Sequence, residues 1–233
     1  MYGRWEDILL KVPLFHGFSM ENLNTLLTCL RPRIKQYKKG QYVAIEGEKQ
    51  EGIGIVITGN VTVSKENITG KRVIMDVLKP GDMFGEMAVF SDNGLWPASV
   101  FAHEDCTIMF LAAHAIVDNC SRICNNHRML MLNMLKILTQ KALILNRKVE
   151  YLSIKSMRGK ISTYLLEQYK KKGSPMFTLP MNRDQLADFL NVSRPSMSRE
   201  MCRMRDEGII DFHRDSVRIN DLDALVKAVE SNI

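Results

Sequence analysis

The chain has 233 residues, 45% of them hydrophobic and 25% charged, a composition ordinary for a globular protein of one large domain or two small ones. No apolar run approaches the ~18 residues a membrane span needs, and the opening MYGRWEDILLKV carries acidic residues where a signal peptide is apolar. Neither a membrane-spanning nor a secreted protein is expected, and the expected location is the cytoplasm. The formal net charge of +6 is uneven, because residues 155–218 hold thirteen Lys and Arg against eight Asp and Glu. That surplus of five points to an anionic polymer as partner of the C-terminal part, with a solvated basic face as the plain alternative.

Nine of the fourteen glycines fall between Gly40 and Gly94, where they interrupt the short β-branched segments QYVAI, GIVI, VTVS and KRVIMDVL. ASVFA and TIMFLA follow further on. In VTVS, Val61 and Val63 alternate with Thr62 and Ser64, the period of a half-buried strand. Short strands separated by turns predict an antiparallel barrel or sandwich.

From Ala98 to Lys172 there is no proline and only one glycine, Gly159, so the texture becomes helical. Met131, Leu135, Leu138, Ala142, Leu145, Val149 and Leu152 recur at alternating spacings of four and three, the apolar seam of two helices packed on each other. Leu130, Leu132, Met134, Ile137, Leu143 and Ile144 widen the stripe. One edge is expected to pack on the β domain and the other on the helix of a second subunit, giving a homodimer. A helix lying only on its own domain is the alternative.

Arg158 to Lys170 is helical in pattern, and KKKGSP stops it. Asn182 with Gln185 three residues on has the form of an N-cap pair before Leu186, Ala187, Phe189 and Leu190. Asn191 can adopt the left-handed conformation of a tight turn, Ser193 is a natural N-cap, and Pro195 is tolerated in a first helical turn. Gly208 ends the second helix, and IIDFHRDSVRI predicts two strands around a polar turn, a wing.

A short helix, a tight turn and a second helix form a motif that lays the second helix in the major groove. Its first turns carry Arg194, Ser196 and Arg199, and either arginine can donate a bidentate pair to guanine. Ser193 and Ser196 can reach phosphate or base edges, and Arg183 completes the DNA-binding set. Met197, Met201 and Met204 are expected in the core. A helical hairpin with solvent-facing arginines is the plain alternative.

These residues resemble the CRP/FNR family of bacterial transcription regulators. The likeness runs through VPLFHGFSMENLNTLL, GEKQEGIGIVITGNVTVSK, LKPGDMFGEMAVF, the long helix and RDQLADFLNVSRPSMSRE, nearly the whole chain. It implies an α+β fold with an antiparallel jelly-roll sensor over residues 1–125, a dimerisation helix over 126–155 and a winged helix-turn-helix over 156–233. It places Arg194 and Arg199 where the family's base-reading residues lie. The catabolite-activator branch has a glutamate where this chain has Pro195, so a cytosine-directed acceptor is missing and the half-site should differ.

The resemblance also bears on the loop FGEMAVFSDNGLWPASV. In members that bind cyclic AMP, this loop supplies a Gly-Glu pair and then an arginine against the cyclic phosphate. Gly85 and Glu86 match, but the arginine position falls on Trp96, and two adenine-contacting hydroxyl positions of the long helix fall on Leu145 and Asn146. The expected effector pocket comprises Gly85, Glu86, Trp96, Pro97, Ala98, Ser99, Leu145 and Asn146. A charge-assisted bond to phosphate contributes ~1.5–3 kcal/mol, so the effector is not expected to be cyclic AMP. An aromatic or hydrophobic effector, a pocket filled by Trp96, and an anion held by other cations remain open, and Glu86 can serve as a structural cap.

The five cysteines, Cys29, Cys106, Cys120, Cys124 and Cys202, are odd in number and lack a Cys-x-x-Cys, so neither a disulfide framework nor a zinc ribbon fits. Cys120 and Cys124, with His127, offer at most a redox pair or partial metal site, and bystander thiols are the plainer reading. The five histidines show no ligand spacing, and no nucleophile elbow, P-loop or dinucleotide fingerprint occurs. No metal, cofactor or enzymatic activity is expected. The expected partners are double-stranded DNA, a second subunit, an unidentified small-molecule effector and RNA polymerase. The competing reading is a small-molecule-binding regulatory module whose C-terminal domain contacts protein rather than DNA.

Overall fold

Short helical turns open the chain, α1 (Glu6–Leu9) and α2 (Met20–Leu30). Ser19 caps α2, its hydroxyl accepting from the Asn22 amide at 3.3 Å, and left-handed Arg31 ends it. The computed structural model describes residues 3–50, 52–66, 71–117 and 125–230. They fall into two compact units, Met1–Gln140 and Lys141–Ile233.

Eight strands follow in the first unit: β1 (Arg33–Tyr37), β2 (Tyr42–Ala44), β3 (Ile53–Thr58), β4 (Val61–Glu66), β5 (Arg72–Leu78), β6 (Met83–Phe84), β7 (Ser99–Ala102) and β8 (Cys106–Leu111). They pair antiparallel in two four-stranded sheets, ordered β1-β8-β3-β6 and β2-β7-β4-β5. This is the expected β sensor of an α+β protein.

Strand periodicity decides where each side chain goes. Ile53, Ile55 and Ile57 of β3 join Met109 and Leu111 of β8 in a core shared with α2. Val56, Ile108 and Phe110 point the other way, into a second core with Phe84, Val100 and Trp96. Covered on both faces, β3 is buried along nearly its whole length. Gly54 faces Phe84, and a Cβ there would stand 2.2 Å from the ring, so only glycine allows β6 to pair.

One expectation fails in β4. Thr62 and Ser64 are both buried while Val63 is half-buried, so the strand does not split into a wet and a dry face. Pairing with β5 on one side and β7 on the other covers it.

After α3 (Ala113–Val117) comes α4 (Asn125–Ser153), 29 residues long, or about 43 Å at ~1.5 Å per residue. Leu130 and Met134 bury into the α2 core, and the Asn133 side chain donates to the carbonyls of Leu14 and His16 at 3.1 and 2.8 Å. Cys120 and Cys124 lie outside the described residues, while His127 is buried. No described helix is long and apolar enough to cross a membrane.

The second unit continues with α5 (Met157–Lys172), β9 (Met176–Thr178), α6 (Arg183–Leu190), α7 (Arg194–Asp206), β10 (Ile210–His213), β11 (Ser216–Ile219) and α8 (Leu222–Glu230). Its three strands order β10-β11-β9. Leu165, Leu186, Leu190, Val217 and Leu225 share its core with Met197, Met201 and Met204, so the methionines are packing residues, as expected. Each such side chain contributes ~1.5–3 kcal/mol on burial.

Candidate functional site

Local chemistry sets the two helices of the C-terminal motif. Asn182 accepts from the Gln185 amide at 2.9 Å while the Gln185 side chain accepts from the Asn182 amide at 3.0 Å, a capping box that starts α6. Asn191 takes φ 51° and ψ 57° at its end, and the Val192 amide returns to the Ala187 carbonyl at 3.0 Å. Lys160 of α5 is only 8% exposed, and its ammonium donates to the Leu190 carbonyl at 3.1 Å, holding the C-terminus of α6. Ser193 caps α7, accepting from the Ser196 amide at 3.3 Å.

The first turns of α7 then present a linked polar surface. Ser193 Oγ donates to Ser196 Oγ at 2.7 Å, and the Arg199 guanidinium donates to the same Ser196 oxygen at 3.2 Å. Arg194 meets Asp184 at 3.0 Å, with both side chains more than half exposed. An exposed ion pair of this kind contributes little and is readily exchanged for a phosphate. Ser196, Arg199, Glu200, Arg203 and Met157 line a groove of about 300 Å³.

Arg158 of α5 fixes the far side of α7. Its guanidinium donates to Glu200 at 2.7 Å and to both Glu207 oxygens at 2.6 and 2.8 Å. Those bonds raise the arginine's pKa and hold the Glu207 carboxyl below the usual carboxylate range. Glu200 is thus occupied, leaving Arg199 without an acidic partner on its own helix among the described residues.

Arg183, expected in the DNA-binding set, packs against the wing. Its guanidinium lies 4.8 Å from the Phe212 ring centre and donates to the Arg214 carbonyl at 3.2 Å. Burial pulls its pKa below the ordinary value. The residue ties the wing hairpin of β10 and β11 to α6, a tertiary role that no sequence spacing signals.

In the sensor, Gly85 takes φ +84° and begins a tight turn in which the Ala88 and Val89 amides return to its carbonyl at 3.2 and 3.0 Å. Glu86 is buried, and Ser99 Oγ accepts from the Glu46 amide at 3.0 Å. Pro97 is exposed and Ala98 buried. Trp96 is 5% exposed and sits in the inter-sheet core, its ring centre 5.9 Å from that of Phe84. A Cβ on Gly85 would stand 2.7 Å from the indole and 2.6 Å from the Gln50 amide nitrogen. The space beside Gly85 is therefore filled by Trp96.

Backbone bonds lock the indole there. The Trp96 amide donates to Glu48 O and its carbonyl accepts from the Gly47 amide, both at 2.9 Å. Gln50, absent from the sequence-based set, donates from its side chain to Gly85 O at 2.7 Å. Leu145 and Asn146 belong to the second unit and are exposed on α4.

The seam residues Met131, Leu135, Ala142, Leu145, Val149 and Leu152 are exposed in the single chain, and Leu138 is half-buried against the α2 core. Among the described residues, no group of three or more His, Cys, Asp or Glu could hold a metal ion.

Comparison with known proteins agrees with this geometry. Residues 34–122 match the cyclic nucleotide-binding domain family, and residues 159–228 match the Crp-like helix-turn-helix domain. The chain is 23% identical over 209 residues to the cyclic AMP receptor protein of Thermus thermophilus, covering 90% of this chain and 93% of that one. It is 22% identical over 227 residues to a CRP-like cAMP-activated global transcriptional regulator of Mycobacterium tuberculosis, covering 95% and 98%. The crystal structure of the Thermus thermophilus catabolite activator protein shares the fold, with a TM-score of 0.54 at 22% identity over 95% of this chain and 100% of that one. With a sensor of the cyclic nucleotide-binding type followed by a Crp-like reading domain, the chain belongs to the CRP/FNR family of DNA-binding transcription regulators.

Proposed function

We propose that the protein is a dimeric, sequence-specific regulator in which α7 reads the major groove and the sensor answers to something other than a cyclic nucleotide. The exposed Arg194 and Arg199, with Arg199 bonded to the half-buried Ser196 on the capped first turns of α7, carry this reading. A second copy docked along the exposed α4 seam doubles the reading head, so the operator is two-fold, with half-site centres ~34 Å apart. Pro195 offers no side-chain acceptor to a cytosine, which sets the half-site apart from that of the catabolite-activator branch. The protein acts in the cytoplasm, with RNA polymerase as a further contact.

On the sensor side, Trp96 supports the reading. It fills the space beside Gly85 with a neutral ring where the family's cyclic AMP binders place a cation. A buried phosphate without its cation is strongly disfavoured.

Titration against a two-fold duplex and a random duplex at several salt concentrations tests the DNA half. Counterion release requires a steep loss of affinity with salt. Arg199→Ala should cost ~1–3 kcal/mol on the specific site and blunt discrimination at one base position. Equal weakening on both duplexes would make Arg199 a phosphate contact. Flat salt dependence would instead favour a C-terminal domain that contacts protein.

A further inference from the structure

We propose that a cavity of the second unit, between the last turns of α4, the C-terminal half of α5 and α6, binds a small molecule that joins a phosphate group to a flat ring. The cavity measures about 370 Å³ and is lined by Arg147, Tyr164, Gln168, Lys171, Lys172 and Phe189, with Pro180 and Met181 at its rim. That volume lies within the range of small-molecule sites. It is separate from both the groove of α7 and the Gly85 turn.

Two independent features point to a ligand. The first is an orphan polar group. Tyr164 is 1% exposed and lines the cavity, yet its hydroxyl has no hydrogen-bond partner among the described residues. Buried hydroxyls are nearly always bonded, and one left unbonded beside a cavity is a donor awaiting an acceptor. Arg147 lines the same cavity.

The second feature is charge and shape. Arg147, Lys171 and Lys172 bring three positive charges to the walls, and Glu167 pairs with Arg147. Lys171 and Lys172 make no ion pair among the described residues. A surplus of two positive charges suits a phosphate monoester, which is close to a dianion at neutral pH. Behind them stands an aromatic wall. Phe189 lies 5.7 Å from Tyr164 and 4.9 Å from Tyr151 between ring centres, and Arg147 lies 5.8 Å from the Phe189 ring centre. A planar ring attached to the phosphate finds aromatic faces and the Gln168 amide on the same cavity surface.

Occupation has a structural consequence within this unit. The phosphate would compete with Glu167 for Arg147 and so couple α4 to α5 and α6 through the ligand instead of through a carboxylate. Such a molecule would bias the helix that leads into the reading domain.

Calorimetric titration of the full chain without DNA, using adenosine monophosphate, adenosine and inorganic phosphate as probes at low salt, tests the site. One adenosine monophosphate per chain is expected, with adenosine and phosphate each weaker by at least about tenfold. Tyr164→Phe should weaken the nucleotide about tenfold while leaving the melting temperature unchanged or higher, because an orphan hydroxyl has been removed. Lys171→Gln combined with Lys172→Gln should weaken it by more than about tenfold. Absence of saturable binding up to about 10 mM, a level that already corresponds to very weak affinity, overturns the proposal. So does nucleotide binding indifferent to both variants, which would place the ligand elsewhere, such as the Gly85 turn. A lower melting temperature for Tyr164→Phe also overturns it, since the hydroxyl would then already be satisfied in the folded chain.

Discussion

Trp96 packs against Gly85, in the space the proposed reading gives to a ligand's phosphate, and the indole is held there by the backbone bonds to Gly47 and Glu48. Millimolar cyclic AMP or cyclic GMP is accordingly expected to leave the melting temperature and the DNA affinity unchanged. A ligand bound at a hundred times its dissociation constant would add ~2.7 kcal/mol, an easily measured shift, so calorimetric melting with and without the nucleotide decides the matter. Trp96→Ala should destabilise the sensor by about 3–5 kcal/mol, the cost of removing a buried aromatic ring. A second residue-scale prediction concerns Glu207, whose carboxyl is held low first by its hydrogen bonds to Arg158. A depressed folded pKa contributes stability that is fully present above the unfolded value of ~4.3 and lost as pH falls through the folded pKa. Denaturant unfolding of the wild type and Glu207→Gln should therefore differ at pH ~6 and converge only once the pH falls below the depressed folded pKa. The absence of a difference at pH ~6 would mean that Arg158 is satisfied chiefly by Glu200.

Among the elements, α4 is the one whose sequence demands more than a single chain supplies. Leu145, Val149 and Leu152 are each 54% exposed on it, so no described residue covers this part of the seam. Val149→Asp tests the proposed interface better than a change at Leu138, because Leu138 also packs on the α2 core. Sedimentation at micromolar concentration should show monomer, since an unpaired charge buried at such an interface costs several kcal/mol per chain. A variant that stays dimeric would mean that another surface joins the subunits. The seam, the capping box at Asn182, the left-handed turn at Asn191 and the cap at Ser193 are legible in the sequence because each rests on chemistry within a few residues. β1 and β6 are not. RIKQY is charged and half-exposed, and the two-residue β6 exists only because Gly54 makes room for Phe84. β9 and α8 also go unread in the sequence. Part of the site was hidden for the same reason. The burial of Trp96 depends on pairing with a loop nearly fifty residues earlier, and Arg183 is drawn to the wing by Phe212 and Arg214, contacts no spacing announces.

At the scale of the whole molecule, the two units divide the labour by composition. Nearly all of the +6 net charge lies between residues 155 and 218, in the unit that carries α7, so DNA attraction resides there while the β sheets of the other unit supply the sensor. The same division is written into the chromophores. Trp5 and Trp96 are the only tryptophans, and both fall in the first unit, while Tyr151, Tyr164 and Tyr169 are the aromatic residues of α4 and α5 in the second. Selective excitation of indole therefore reports on the sensor alone. With Trp5 replaced by phenylalanine, the emission would come from one ring packed against Phe84 and Gly85. Its colour and quenching would show directly when that ring leaves its seat, giving the regulator a built-in optical gauge of whatever opens the sensor.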